Sequence, residues 1–199
     1  MKQLHRKDLF GWSEFNKERN LDFHSVLWVR EEGNVLIDPL PLSEHDHSHL
    51  QRLGGVHTII VTNSDHCRDA EHLALTTGAH ILGPAGEEET FPISCDRWLI
   101  DHEEVCPGLI AFQLEGSKTH GELALLLEHT TLITGDLIRS HIAGELCLLP
   151  EDKLTDFHKA IKSVKRLADL PNIKAVLTGD GWPIFNHGSE ALHRLARSY

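Results

Sequence analysis

The apolar positions of this chain fall into short runs, most of which end in a polar pair such as Gly-Asp or Gly-Asn. Two of them, 25–30 and 35–38, flank Gly33-Asn34 and predict a β-hairpin. Pro39 and Pro41 end its second strand, since neither can donate to a ladder. Ser43, with Asp46 three residues on, predicts the start of a helix over 44–53 that Gly54-Gly55 stops. The run 57–61 reads as a strand, 68–75 as a helix ended by Thr76-Thr77-Gly78, and 79–82 as a further strand. That alternation is βαβ, which favours a sheet with helices on its faces. From Trp98 the rhythm changes: 109–114, 122–127 and 131–134 are strand-like with only turns between them, so they pair antiparallel. Leu154, Phe157, Ile161, Val164 and Leu167 recur at helical spacing and predict an amphipathic helix over 151–169. A buried strand over 173–178 and a helix over 189–197 close the domain. Residues 1–20 are polar with interspersed Phe10, Trp12 and Phe15, and read as an irregular lead-in that lays its rings on the body.

Composition narrows the class. A length of 199 residues suits a single domain, 1–199, able to bury a core without disulfides. The balance of 19 Lys+Arg against 30 Asp+Glu gives −11 at pH 7. No basic block exists to neutralise a phosphate backbone, so no nucleic-acid partner is expected. No stretch approaches a membrane span, and the basic N-terminus lacks a following apolar core; a soluble cytoplasmic protein, monomer or homodimer, is expected. Cys67, Cys95, Cys106 and Cys147 are scattered without a C-x-x-C pair, which points to reduced thiols. The 16 histidines invite a metal, because neutral imidazole is the commonest transition-metal ligand. His45 and His49 share a helix face, but two imidazoles without further ligands do not hold an ion. A solvated helix start is the expectation there.

The chemistry concentrates at strand ends. Thr62-Asn63-Ser64-Asp65-His66-Cys67-Arg68-Asp69 follows one strand, and Gly116-Ser117, Gly135-Asp136 and Gly179-Asp180-Gly181 follow three others. The carboxyl edge of a sheet is where ligands tend to bind. Asp65, Asp136 and Asp180 gathered there would need a cation or shared protons. In the order of these motifs the chain, from Ser25 onward, resembles the metallo-β-lactamase superfamily. The resemblance implies an α/β fold of the αββα type, a four-layer sandwich of two mixed sheets flanked by helices. In that family a Thr-His-x-His-x-Asp-His motif, a Gly-His loop, a Thr-Gly-Asp strand end and a Gly-His-Gly turn bind one or two metal ions. Aligned on Thr62, Asn63 and Asp65 stand at the motif's first two histidines, Cys67 at its aspartate and Arg68 at its last histidine. Ser117 and Asp180 stand at two further histidine positions, and Asp136 alone matches. A shifted register instead aligns Asp65-His66 with the motif's Asp-His pair. The Thr-Asn-x-x-His-x-Arg form also resembles a subgroup labelled metal-dependent hydrolases.

Two outcomes follow. In the first, Asp65, Asp136 and Asp180, with Asn63 or His66, hold one divalent ion, Mn²⁺, Fe²⁺ or Mg²⁺ ahead of Zn²⁺. The protein would then hydrolyse an ester, thioester, amide or phosphoester of unknown identity, with Asp65, His66, Arg68, Asp136 and Asp180 as the catalytic set. In the second, no metal is bound: the Arg68 guanidinium pairs with Asp136 and Asp180 and takes the place of the ion, leaving a pseudoenzyme or small-molecule binding module. A weaker third outcome makes Cys67 a nucleophile activated by His66 and Arg68. Trp28, Trp98 and Trp182 are candidate aromatic walls, Trp182 foremost because it follows Asp180 by two residues.

Overall fold

The computed structural model describes residues 1–199. β1 (Lys2–Gln3), β2 (Leu9–Asn16), β3 (Leu21–Trp28), β4 (Val35–Ile37), β5 (Thr58–Ile60), β6 (His80–Pro84) and β7 (Arg97–Leu99) lie side by side in chain order. β1 to β4 pair antiparallel and β4 to β7 parallel, with α1 (Glu44–Arg52) and α2 (Ala70–Thr77) as crossovers. In the second sheet β8 (Glu104–Cys106), β9 (Leu109–Gln113), β10 (Leu123–Leu127) and β11 (Thr131–Thr134) meander antiparallel. A separate hairpin, β12 (Ile138–Ile142) and β13 (Glu145–Leu148), and then α3 (Phe157–Ala168) return the chain. β14 (Ala175–Thr178) joins parallel to β11 at the sheet edge, followed by α4 (Gly188–Arg197).

Alternation along the strands sorts the layers. Val35, Ile37, Ile60 and Leu82 of the first sheet meet Leu123, Leu125, Ile133 and Leu177 of the second. Leu36, Ile59 and Ile81 turn outward onto Leu50 of α1 and Leu73 of α2. Leu126, Leu132 and Val176 turn outward onto Ile161 and Val164 of α3 and Leu192 of α4. The central strands therefore bury both faces, which is why Leu123 to Leu127 is apolar throughout. The arrangement is an αββα sandwich. Truncating a side chain at its centre, Leu125→Ala, should cost about 2–5 kcal/mol.

Two expectations are corrected. The first 20 residues are not irregular: β2 pairs with β3 along its whole length, from Leu9↔Trp28 to Asn16↔Leu21. The far end of that hairpin is exposed, Phe15 included, so it carries no alternation to read. The helix expected over 151–169 begins only at Phe157. Asp156 caps it by accepting from the Lys159 amide at 3.0 Å, while Thr155 is drawn out of helical bonding by Ser117 O, to which its amide and hydroxyl donate at 3.0 and 2.7 Å.

Because β4 is parallel to β5 and β11 to β14, four carboxyl ends open at one edge of the sandwich. The sheets are stitched together there. The Leu123 amide donates to Thr62 O at 2.8 Å, His24 to Gly179 O at 2.9 Å, and Gly181 to Asp22 O at 2.8 Å.

Candidate functional site

One side of the site is built on β4 and β5. Asp38, just past β4, is buried in the left-handed region at φ 47°. Its carboxylate accepts from the Thr62 amide and hydroxyl, each at 2.7 Å, and lies 2.9 Å from His66 Nδ1. Asn63 caps the turn Ser64–His66 by accepting from the Asp65 amide at 3.0 Å. That tight turn swings His66 inward and Asp65 out to the rim, where it pairs with Lys118. Burial and then Arg68 act to lower the His66 pKa, but Asp38 and Asp136 outweigh them and raise it. Burial alone would raise Asp38; His66, Arg68 and Thr62 hold its carboxyl below the usual range instead. With Nδ1 committed to Asp38, His66 presents Nε2, 3.8 Å from Asp136 Oδ1.

The other side is built on β11, β14 and β12. Asp136 and Asp180 follow the carboxyl ends of β11 and β14, and Arg139, on β12, bonds both: its Nη2 donates to Asp136 Oδ1 at 3.3 Å and to Asp180 Oδ2. Asp136 also receives the Asn63 amide at 3.5 Å. All of these are buried. Glycine is required at two points: a Cβ on Gly179 would lie 2.9 Å from His66 Cε1, and one on Gly181, at φ 81°, 1.7 Å from Ser140 O. Behind Asp136, Glu122 accepts from the Ser117 hydroxyl and from the Leu137 amide at 2.9 Å. Burial, then Asp136, push Glu122 up to about 8, so it holds a proton at neutral pH. Burial and Asp136 also raise Asp180. Its Oδ1 is buried with no hydrogen-bond partner. One donor atom each from His66, Asp136 and Asp180 lies within 4.8 Å of the others, at the bottom of a cleft of about 250 Å³ lined also by Asn16, Arg19, Phe23 and Lys118.

The model of the metallo-beta-lactamase superfamily matches residues 1–199. The chain belongs to that superfamily. A search of curated protein sequences finds no match. Among solved structures, the fold is similar to a metallo-beta-lactamase from Pontibacter korlensis, 15% identical, covering 98% of this chain and 97% of that one at TM-score 0.77. It is also similar to the metallo-beta-lactamase FIM-1 from Pseudomonas aeruginosa, solved in a mono-zinc form (14% identical, 100% and 95% covered, TM-score 0.72). A metallo-beta-lactamase family protein from Thermus thermophilus is 17% identical over 98% of this chain and 79% of its own, at TM-score 0.73.

Within the superfamily fold, the residues singled out from sequence divide. His66, Asp136 and Asp180 come together. Asp65 does not, because its ion pair with Lys118 lies on the exposed rim. Asn63 orients Asp136 and the turn, its oxygen already engaged by the Asp65 amide. Arg68, expected to bridge Asp136 and Asp180, sits at φ 41° and donates to the carbonyls of His24 at 2.6 Å and Asp38 at 3.0 Å, reaching only Asp180 at 3.9 Å. The bridging guanidinium is Arg139 instead. Cys67 is half-buried and its thiol is pushed up to about 12 by burial, so no thiolate forms near neutral pH. Trp28 is buried in the core, and Trp182 is exposed beside a neighbouring cavity. Sequence reasoning missed Asp38, Glu122 and Arg139. A signal existed for Asp38, which ends an apolar strand as Asp136 does.

Proposed function

We propose that this superfamily member is a metal-dependent hydrolase whose ion is held by His66, Asp136 and Asp180. The carrying observation is that one donor atom each from buried His66, Asp136 and Asp180 lies within 4.8 Å of the others, while Asp180 Oδ1 is buried without a hydrogen bond, Arg68 Nη2 standing 3.9 Å away. An unsatisfied buried acceptor costs about 1–3 kcal/mol, and more when charged, so its persistence supports a missing ligand. The donor set fits: one imidazole whose second nitrogen is tied to a carboxylate, plus two carboxylates, suits Mn²⁺ or Fe²⁺ ahead of Zn²⁺. When bound, such an ion supplies Lewis acidity toward a carbonyl or phosphoryl oxygen and acidifies a water.

The chain's own residues do the rest. Asp38 and Thr62 fix the His66 tautomer and ring. Protonated Glu122 stays neutral behind Asp136. Arg139 balances the two aspartates, and Arg68 adds positive charge at the cleft wall, where negative charge develops on a substrate oxygen.

A second reading rests on the Arg139 bonds to both Asp136 and Asp180: an inactive binding module in which Arg139, rather than Arg68, replaces the ion. The discriminating experiment is hydrolysis of p-nitrophenyl acetate, an acyl thioester and bis(p-nitrophenyl) phosphate by Mn²⁺- or Fe²⁺-loaded protein. Turnover abolished by chelator and by His66→Ala is expected. Absence of turnover on all three substrates would favour the binding module.

A further inference from the structure

The chain carries −11 at pH 7, yet the wall of the cleft over His66 is cationic. Arg19, Arg68 and Lys118 line it, and apart from Asp136 and Asp180 at its floor the lining holds a single carboxylate, Asp65. Lys118 is paired with Asp65, and Arg139 lies between Asp136 and Asp180. Arg19 and Arg68 are the charges left over. With Asp136 and Asp180 committed to an ion, that excess grows. A cleft lined by one sign of charge concentrates molecules of the other sign, whatever the net charge of the protein around it.

Both guanidiniums are held in place with donors to spare. The Arg68 side chain is only 9% exposed, and its hydrogen bonds to the carbonyls of His24 and Asp38 are both made by Nη1. Nη2 makes none and stands 3.9 Å from Asp180 Oδ1. Arg68 Cζ lies 5.4 Å from the centroid of the Phe23 ring, and Arg19 Cζ lies 5.9 Å from the same centroid. The tip of the β2–β3 hairpin puts Arg19 there: its amide donates to Asn16 Oδ1 at 2.9 Å, and Asn20 takes φ 52° before Leu21 pairs with Asn16. Asparagine is one of the few residues that visit that conformation readily. Arg19 itself is exposed and makes no ion pair in a chain with 30 Asp+Glu. A guanidinium held by an aromatic face keeps its N–H donors for another partner.

We propose that Arg19 is a specificity residue which, on the hydrolase reading of this cleft, selects a substrate carrying an acid group, carboxylate or phosphate, at the end away from the bond to be cleaved. The planar fork of a guanidinium matches either group. Arg19 takes the acid group at the mouth of the cleft, and Arg68 Nη2, next to Asp180, faces the reacting end.

The test has a binding arm and a kinetic arm, both on the full chain. Calorimetry, with and without Mn²⁺, compares 3-phenylpropanoate and 2-phenylethylphosphonate with the neutral ketone 4-phenyl-2-butanone. The acids are expected to bind at least tenfold more tightly than the ketone, and the tighter of the two names the group. Arg19→Ala weakens the acids about tenfold without moving the ketone or the thermal midpoint, Arg19→Lys keeps part of the preference, and Arg197→Ala, at an exposed arginine of α4, changes nothing. In the kinetic arm Arg19→Ala raises KM about tenfold for 4-nitrophenyl hydrogen glutarate at unchanged kcat, and leaves 4-nitrophenyl acetate as it was. Absence of turnover with the acid preference intact would sink the hydrolase reading and leave the acid site standing. Acids bound by Arg19→Ala within twofold of the unsubstituted protein, equal weakening by Arg197→Ala, or no preference for the acids over the ketone would overturn the acid site itself.

Discussion

The two sides of the site solve opposite electrostatic problems. On the β4–β5 side a buried imidazole is paired with a carboxylate, Asp38, that also ties down Thr62. On the β11–β14 side two buried carboxylates are paired with a guanidinium, Arg139. The first pairing prepares a ligand, since a carboxylate on Nδ1 fixes Nε2 toward the centre. The second competes with an ion, since Arg139 already neutralises the charges that would attract one. Whether this superfamily member binds metal is therefore decided on the β11–β14 side, where only Asp180 Oδ1 lacks a hydrogen bond, with Arg68 Nη2 3.9 Å from it.

The largest effect should come from breaking the β4–β5 side. Asp38→Ala removes the partner of His66 and of the Thr62 amide and places a residue with no polar side chain at positive φ; a loss of about 4 kcal/mol is expected in urea denaturation. Asp38→Asn, which tolerates that backbone, should lose less. On the opposite side, Arg139→Met strands Asp136 and Asp180 and should cost the metal-free protein about 3 kcal/mol. Mn²⁺ should restore much of that stability, since a ligand that binds only the folded state stabilises it. Full loss unrelieved by Mn²⁺ would show that the donors do not form an ion site.

A pH titration sharpens the same contrast. Glu122, raised from 4.5 to about 8, binds its proton more tightly when folded. The stability this adds is present below its unfolded value and lost as pH rises through the folded one, and His66, also raised, acts in the same sense. Asp38, lowered, acts oppositely, adding stability that is lost as pH falls through its folded value. Metal-free protein should therefore lose roughly 3–4 kcal/mol between about pH 5 and pH 8, and Glu122→Gln should flatten that slope. A slope unchanged by Glu122→Gln would remove the buried proton from the account. The smallest effect is expected at α1. Replacing His45 and His49 together with alanine should change stability by no more than about 0.5 kcal/mol and leave metal content as it was.

The strand ends were legible in the sequence because several apolar runs stop at Gly-Asp or a similar polar turn, where one alone would be ordinary turn chemistry. Asp136 and Asp180 could be placed at one edge for that reason. Direction within a tight turn was not legible: the family register aligned on Thr62 put Asn63 and Asp65 at ligand positions, whereas the Asn63 cap turns His66 in and Asp65 out. Arg139 was hidden because β12 forms a sheet with β13 alone, tied to the rest by one bridge at Ser140↔Gly181, and a two-stranded hairpin beside a longer sheet leaves a weak pattern. Its spacing of three from Asp136 was the available hint. Glu122 looked like the first residue of a strand, and only the closeness of β10 to β11 shows that it lies behind Asp136.

The most direct measurement is the metal content of protein purified without chelator and then incubated with Mn²⁺, Fe²⁺ or Zn²⁺. The account predicts close to one Mn²⁺ or Fe²⁺ per chain, lost in His66→Ala and in Asp180→Asn. A chain that stays ion-free after all three incubations, while Arg139→Met takes up an ion, would contradict it and show that Arg139 has taken the metal's place.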